Sequence, residues 1–213
     1  LDREDAPTDA PALAGDPRAD LVVVGAGFTG LWPALQAAES DPGRRIVVLA
    51  AATTAFGASG RNGGFCEASL THGLGNGLAH WPDELPTLLR LGDENLDDIL
   101  ATLDRHHIDC AAERTGAMDV AVDPWQVDEL HELAEASERL GVEVEFLDQD
   151  AVRAQVDSPT YLAGLWSRHS AAMVDPARLA WGLRAAAGSL GVEFHDHSPV
   201  RSLRRSGAGV DAR

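Results

Sequence analysis

Leu21-Val22-Val23-Val24-Gly25-Ala26-Gly27-Phe28-Thr29-Gly30 is the stretch on which the fold of this chain turns. Four apolar residues predict a buried strand, and the apolar run Leu31–Ala38 predicts a helix on the far side of the glycines. In a G-x-G-x-x-G turn each glycine has a physical task. Gly25 lets the chain leave the strand sharply, and Gly27 lets backbone approach a pyrophosphate with no Cβ in the way. Gly30 lets the helix pack closely on the sheet. The first amides of the helix, Phe28 and Thr29 among them, then face the phosphates with the positive end of the helix dipole. Gly25, Gly27, Phe28, Thr29 and Gly30 are therefore candidate cofactor-binding residues. The bland alternative is a purely structural glycine turn.

The rest of a βαβ unit follows. Asp41-Pro42-Gly43 ends the helix, and Arg45–Leu49 predicts a second parallel strand. A dinucleotide-binding unit needs an acidic side chain about 20 residues past the glycines to accept from the adenosine ribose. That place holds Ala50, followed by Ala51 and Ala52, with no arginine nearby to suggest a 2′-phosphate. A charge-assisted hydrogen bond is worth roughly 1.5–3 kcal/mol, so its loss weakens binding ten- to a hundredfold. Pro33 is a second irregularity, since a proline inside a helix removes one backbone bond and costs about 3 kcal/mol or a kink.

Beyond the second strand comes Phe56-Gly57-Ala58-Ser59-Gly60-Arg61-Asn62-Gly63-Gly64-Phe65-Cys66. A nicotinamide-binding unit would continue here into another βα repeat. This segment is instead a glycine-rich loop able to wrap a pyrophosphate from the other side. Ser59 and Asn62 would donate to phosphate or ribitol, Arg61 would add charge and planar donors, and Gly63 would allow close approach. A mobile surface loop with Arg61 in a salt bridge is the alternative.

On these two motifs the chain resembles the FAD-dependent oxidoreductases of the D-amino-acid oxidase, glycine oxidase and sarcosine oxidase superfamily (the DAO superfamily), and within it the γ-glutamylputrescine-oxidase-like branch. Val174-Asp175-Pro176 with Leu179 and Leu183, and Pro199-Val200 after a strand, extend the likeness over residues 20–210. The resemblance implies that both glycine motifs hold the FAD pyrophosphate and that the backbone at Val200 meets adenine. The family has Glu where this chain has Ala50. The resemblance further implies an α/β fold, a Rossmann-like FAD-binding domain with an inserted α+β substrate domain. Relatives are considerably longer, so both domains are expected to be incomplete and the chain to be an N-terminal portion, with the catalytic residues unknown.

Composition sets outer bounds. The 213 residues are 45% hydrophobic and 24% charged, enough for a sizeable core. Net charge is −17 with no lysine, which argues against nucleic acid or anionic membrane as partners. Cys66 and Cys110 form no disulfide framework and fit a reducing cytoplasm. No apolar run reaches the roughly 18 residues of a membrane span.

The expected layout is an extended N-terminal arm over 1–19, the FAD-binding domain's first part over 20–80, an inserted substrate-domain part over 81–174 and a return to the FAD-binding domain over 175–213. Within it we expect an amphipathic helix over 87–107, strands over 108–114 and 117–122 joined by Thr115-Gly116, and a helix over 124–140. A strand over 142–147, a short helix over 150–156, mixed strand and loop over 161–174 and an Asp175-capped helix to Gly191 follow. A strand over 192–195 precedes a hairpin beginning at Val200 that the chain leaves unfinished. No metal site is expected: His131-Glu132-Leu133-Ala134-Glu135 lacks the second histidine of a zinc protease, and His195-Asp196-His197 lacks a third ligand. His106 and His107 are read as meeting the carbonyls of a helix end.

The resemblance implies oxidation of a small-molecule amine or amino acid. A hydride passes to the flavin, the imine hydrolyses, and dioxygen as acceptor yields hydrogen peroxide. Two readings stand beside it: a truncated, inactive or partner-dependent remnant, and an NAD-dependent dehydrogenase. Oligomeric state is not legible.

Overall fold

The structure, a computed structural model, describes residues 3–213. In chain order it begins with strand β1 (Leu21–Val24), helix α1 (Phe28–Ser40) and strand β2 (Ile46–Leu49). Strand β3 (Phe65–Glu67), helix α2 (Leu74–His80) and the long helix α3 (Leu85–Arg105) follow. Next are β4 (Ala117–Ala121), α4 (Pro124–Arg139), β5 (Glu145–Leu147) and α5 (Gln149–Gln155). Then come β6 (Ala163–Ser167), β7 (Ala171–Met173), α6 (Pro176–Ser189) and β8 (Glu193–His195). A hairpin of β9 (Leu203–Ser206) and β10 (Gly209–Ala212) ends the chain.

These elements form two compact units. The first takes 3–64 of the described residues with Leu103–Ala111 and Asp175–Arg213; the second takes Phe65–Thr102 and Ala112–Val174.

The first unit is built on a parallel sheet ordered β1-β2-β8. Every residue of β2 is buried, as a central strand covered on both faces must be, and that is why Ile46-Val47-Val48-Leu49 carries no polar residue. Helices α1 and α6 pack against each other. Their buried faces, Leu31, Ala34, Leu35 and Ala38 on one and Ala177, Ala180, Leu183 and Ala187 on the other, are rich in small residues that permit close approach. Pro33 lies inside α1, yet the helix is unbroken. Pro33 and Thr29, whose carbonyl loses its partner, are both exposed, which leaves that carbonyl open to solvent. Asp175 caps α6 by accepting from the Ala177 and Arg178 amides. Burial alone would raise its carboxyl, but the Arg178 amide and the Arg3 guanidinium outweigh that and hold it below the usual carboxylate range.

Residues 3–20 contain no helix or strand but are pinned along their length. Arg3 pairs with Asp175 at 2.8 Å, Arg178 with Asp5 at 2.8 Å, and His197 with Asp9 at 2.9 Å. The Ala10 amide donates to Asp196 and the Leu13 amide to Ser198.

The second unit holds an antiparallel sheet ordered β4-β6-β5 and a separate β3–β7 pair. Leu130 of α4 packs on Ala121, Ala163 and Leu165, and Leu96 of α3 packs on Ala68 and Ala172. Gly92 is required in α3 because a Cβ there would overlap the Ala68 carbonyl. Helix α4 starts with a capping box, Asp123 and Gln126 each accepting from the other's end, and with Pro124 in its first turn.

Five expectations are corrected. Residues 108–114 are not a strand: Glu113 makes only an isolated bridge to Met173, and Ala111 sits at φ 51°. Thr115-Gly116 is accordingly no hairpin turn, and β4 pairs with the distant β6. The strand over 142–147 forms only at 145–147. The closing hairpin is complete, four residues on each side, with Val200 ahead of it. His106 does not seek helix-end carbonyls; its Nε2 lies 2.8 Å from Glu39 Oε1, and with Arg105 it holds the Glu39 carboxyl below its ordinary range.

Candidate cofactor-binding site

The glycine turn behaves as its spacing demands. Gly25 leaves β1 at φ 106°, which disfavours any side chain there, and its amide donates to Leu49 O at 2.8 Å. A Cβ on Gly30 would overlap the Gly25 carbonyl and come within 3.1 Å of Val23 Cγ1, so only glycine lets α1 start this close to the sheet. Gly27 is the N-cap of α1, and a Cβ there would stand 2.8 Å from Ser59 Oγ. The Phe28 amide, one of the unpaired donors at the helix start, gives its hydrogen to Ser59 Oγ at 3.0 Å. The two motifs, 31 residues apart, thus meet at one hydroxyl. Ser59 accepts from α1 and keeps its own O–H for a phosphate oxygen.

A second link runs through the connecting segment. The Ala55 amide donates to Ala26 O at 3.0 Å, with Ala55 itself at φ 63°. Thr54 next to it is buried, and its Oγ1 has no hydrogen-bond partner among the described residues. A single turn of 3₁₀-helix over Ala58–Gly60 sets up the loop. Asn62 orders the loop from within: its Nδ2 donates to the Ala58 and Ser59 carbonyls, and its Oδ1 accepts from the Gly64 amide at 2.8 Å. Arg61 is exposed and stacks over Phe56, 4.5 Å from the ring centroid. Gly63 is exposed at the rim.

The adenosine end is built differently. Ala50, 4% exposed, closes β2 with its amide on His195 O at 2.9 Å, and its carbonyl accepts from the Ser198 amide at 2.7 Å. Val200 is half-buried, two residues farther on. The structure therefore brings Gly25, Gly27, Phe28, Thr29, Gly30 and Ser59 together at one strand end, and Ala50 with the segment leading to Val200 at the next. The residues fit a pyrophosphate: the glycines leave room for it, and the helix amides and Ser59 supply donors. They supply no carboxylate at position 50 for a ribose.

Sequence reasoning missed Ser198 and the arm, because a side-chain bond between residues 13 and 198 has no local signature. Other polar groups near the glycine loop in sequence lie elsewhere. His72 lines an open groove of about 870 Å³ within the second unit, alongside Asp93, Asp119, Glu143 and the Arg114–Asp97 pair. Asn76 donates to Thr71 O at 2.7 Å. Burial pushes the Cys66 thiol up, away from thiolate chemistry. Among the described residues no group of His, Cys, Asp or Glu is arranged to hold a metal, and no helix is long and apolar enough to cross a membrane.

Comparison with known proteins gives a consistent result. Among curated relatives, γ-glutamylputrescine oxidoreductase of Escherichia coli (strain K12) is 34% identical over 195 residues, 90% of this chain and 44% of its own. The probable oxidoreductase OrdL of Haemophilus influenzae is 29% identical over 95% of this chain and 47% of its own. The chain thus spans less than half the length of these relatives. Among solved structures, glycine oxidase from Geobacillus kaustophilus superposes with a TM-score of 0.75 at 20% identity, over 92% of this chain and 51% of that one. L-Amino acid deaminase from Proteus myxofaciens gives 0.74 at 17% identity, over 97% and 44%. The fold is the glycine-oxidase type in incomplete form. The profile of the DAO family, described as FAD dependent oxidoreductase, matches residues 20–213. That sets aside the nicotinamide alternative and makes FAD the cofactor. The chain belongs to the DAO family of FAD-dependent oxidoreductases.

Proposed function

We propose that the protein oxidises a small amine or amino acid, and that this chain contributes the part that grips the pyrophosphate of FAD. The observation that carries the reading is the Phe28 amide on Ser59 Oγ at 3.0 Å, which joins the two glycine motifs into one phosphate cradle. FAD, when bound, supplies the acceptor for a hydride from the carbon bearing the amine, leaving an imine for water to hydrolyse. Gly25, Gly27 and Gly30 keep the cradle open, the Phe28 amide holds Ser59 in place, and the Thr29 amide and the Ser59 hydroxyl donate to the phosphates. Asn62 and Gly63 shape the loop, Arg61 swings from Phe56 to add charge, and the backbone at Ala50 and Val200 lies along the adenosine. The first unit is read as the nucleotide domain and the second as the inserted substrate domain, with residues 65–80 falling in the second and Leu103–Ala111 in the first rather than as the expected bounds at 80 and 174 had it. Cys66 and Cys110, neither of them in a disulfide, fit a cytoplasmic setting.

The test is visible absorbance after FAD addition and desalting, on this chain and on any in-frame extension. We expect retained bands at roughly 370 and 450 nm, the signature of protein-bound flavin. The extended protein should then reduce its flavin anaerobically with an amine or amino acid. Absence of retained flavin from both proteins would overturn the reading.

A further inference from the structure

We propose that Ser198 is a positioning residue for the adenosine end of the FAD site and that residues 9–13 of the N-terminal arm hold it there. The proposal rests on the FAD reading above. The parallel register pairs Leu49 with His195, so Ala50 and Asp196 come next, side by side at the carboxyl ends of adjacent strands. Ligands of open parallel sheets bind at that end. Ser198 ties three segments together there. Its amide donates to Ala50 O at 2.7 Å, its hydroxyl donates to Asp196 O at 2.9 Å, and the same hydroxyl accepts from the Leu13 amide at 2.8 Å.

The arm reinforces this point from two more places. The Ala10 amide donates to Asp196 Oδ2 at 2.7 Å, where Arg184 also reaches at 3.2 Å, and Asp196 is only 1% exposed. Pro11 O lies 3.0 Å from His195 Nδ1. The arm precedes the family-matched residues 20–213, yet Ala10, Pro11 and Leu13 all contact the strand end beside Ala50. A methyl group at position 50 cannot reach a ribose hydroxyl. Adenosine must then be held there by backbone and shape, and both depend on how firmly residues 50 and 198 are fixed. Ser198 and the arm fix them.

The test compares the 213-residue chain with Ser198→Ala, Ser198→Thr and a version lacking residues 1–13. Hydrogen exchange is read on the ligand-free proteins, and dissociation constants are measured for ADP and FAD. Ser198→Ala and the armless version should exchange the Ala50, His197 and Ser198 amides about tenfold faster. They should bind ADP and FAD about three- to tenfold more weakly, the effect of one intramolecular hydrogen bond. Ser198→Thr, which keeps the hydroxyl, should restore both. Unchanged exchange overturns the proposal, and faster exchange with unchanged ADP and FAD affinity reduces Ser198 to a purely structural residue. A parent chain that binds neither ADP nor FAD sinks the cofactor reading itself, and this inference with it.

Discussion

The two ends of the proposed nucleotide site are held by different means. At the phosphate end the decisive groups are backbone: glycines that admit a close approach, helix amides, and one serine hydroxyl. At the adenosine end the side chain at position 50 is a methyl group. Order there comes from Ser198, Asp196 and an arm nearly two hundred residues away in sequence. A site half can thus be specified by local backbone conformation, or by distant residues that brace it. Only the first kind is robust to changes far along the chain.

Three substitutions probe that contrast. The largest effect is expected from Gly30→Ala, whose Cβ would overlap the Gly25 carbonyl. Backbone cannot yield as a flexible side chain does, so we expect roughly 3 kcal/mol of destabilisation, read as a lower urea midpoint together with loss of FAD retention. A parent-like midpoint would show that α1 can shift and that close packing is not what the glycine secures. Next is Ala50→Glu, which restores a carboxylate to the adenosine end. Tighter FAD binding by ten- to a hundredfold in titration would follow from a charge-assisted bond of about 1.5–3 kcal/mol. If affinity is unchanged, the bracing around Ala50 already does that carboxylate's work. The smallest is Ala55→Gly. Ala55 sits at φ 63° while donating to Ala26, a conformation glycine adopts without strain. We expect a gain of at most about 1 kcal/mol, since the freer unfolded chain offsets part of the relief. A lower melting temperature would show that the methyl group, 2% exposed in the core, outweighs its strain.

Where sequence reading succeeded and failed follows from the range of the interactions concerned. The β1–α1–β2 unit and the Asp175 and Asp123 helix starts were legible, because strand hydrophobicity, glycine spacing and capping chemistry act within a few residues. The segment 108–114 was misread because apolar content alone cannot say whether a partner strand is present, and Glu113 finds only Met173. The hairpin at the end was underestimated for the opposite reason: Ser206-Gly207-Ala208-Gly209 does turn, and four residues beyond it suffice to pair. Asn62, expected to donate to phosphate or ribitol, also donates to the loop's own carbonyls, a role that its spacing did not announce.

The sequence by itself determined the glycine turn between β1 and α1, the FAD-dependent family and the oxidoreductase class. Those properties reside in glycines and short-range motifs whose geometry is set by φ, ψ and the absence of a Cβ. Only the tertiary structure decided that Ser59 caps the helix it faces, that Asp196 is buried against Arg184, and that the arm braces the strand end beside Ala50. Each of these is a contact between residues of different elements, which no local pattern announces. The bracing beside Ala50 exists only once the parallel sheet has brought β2 and β8 side by side.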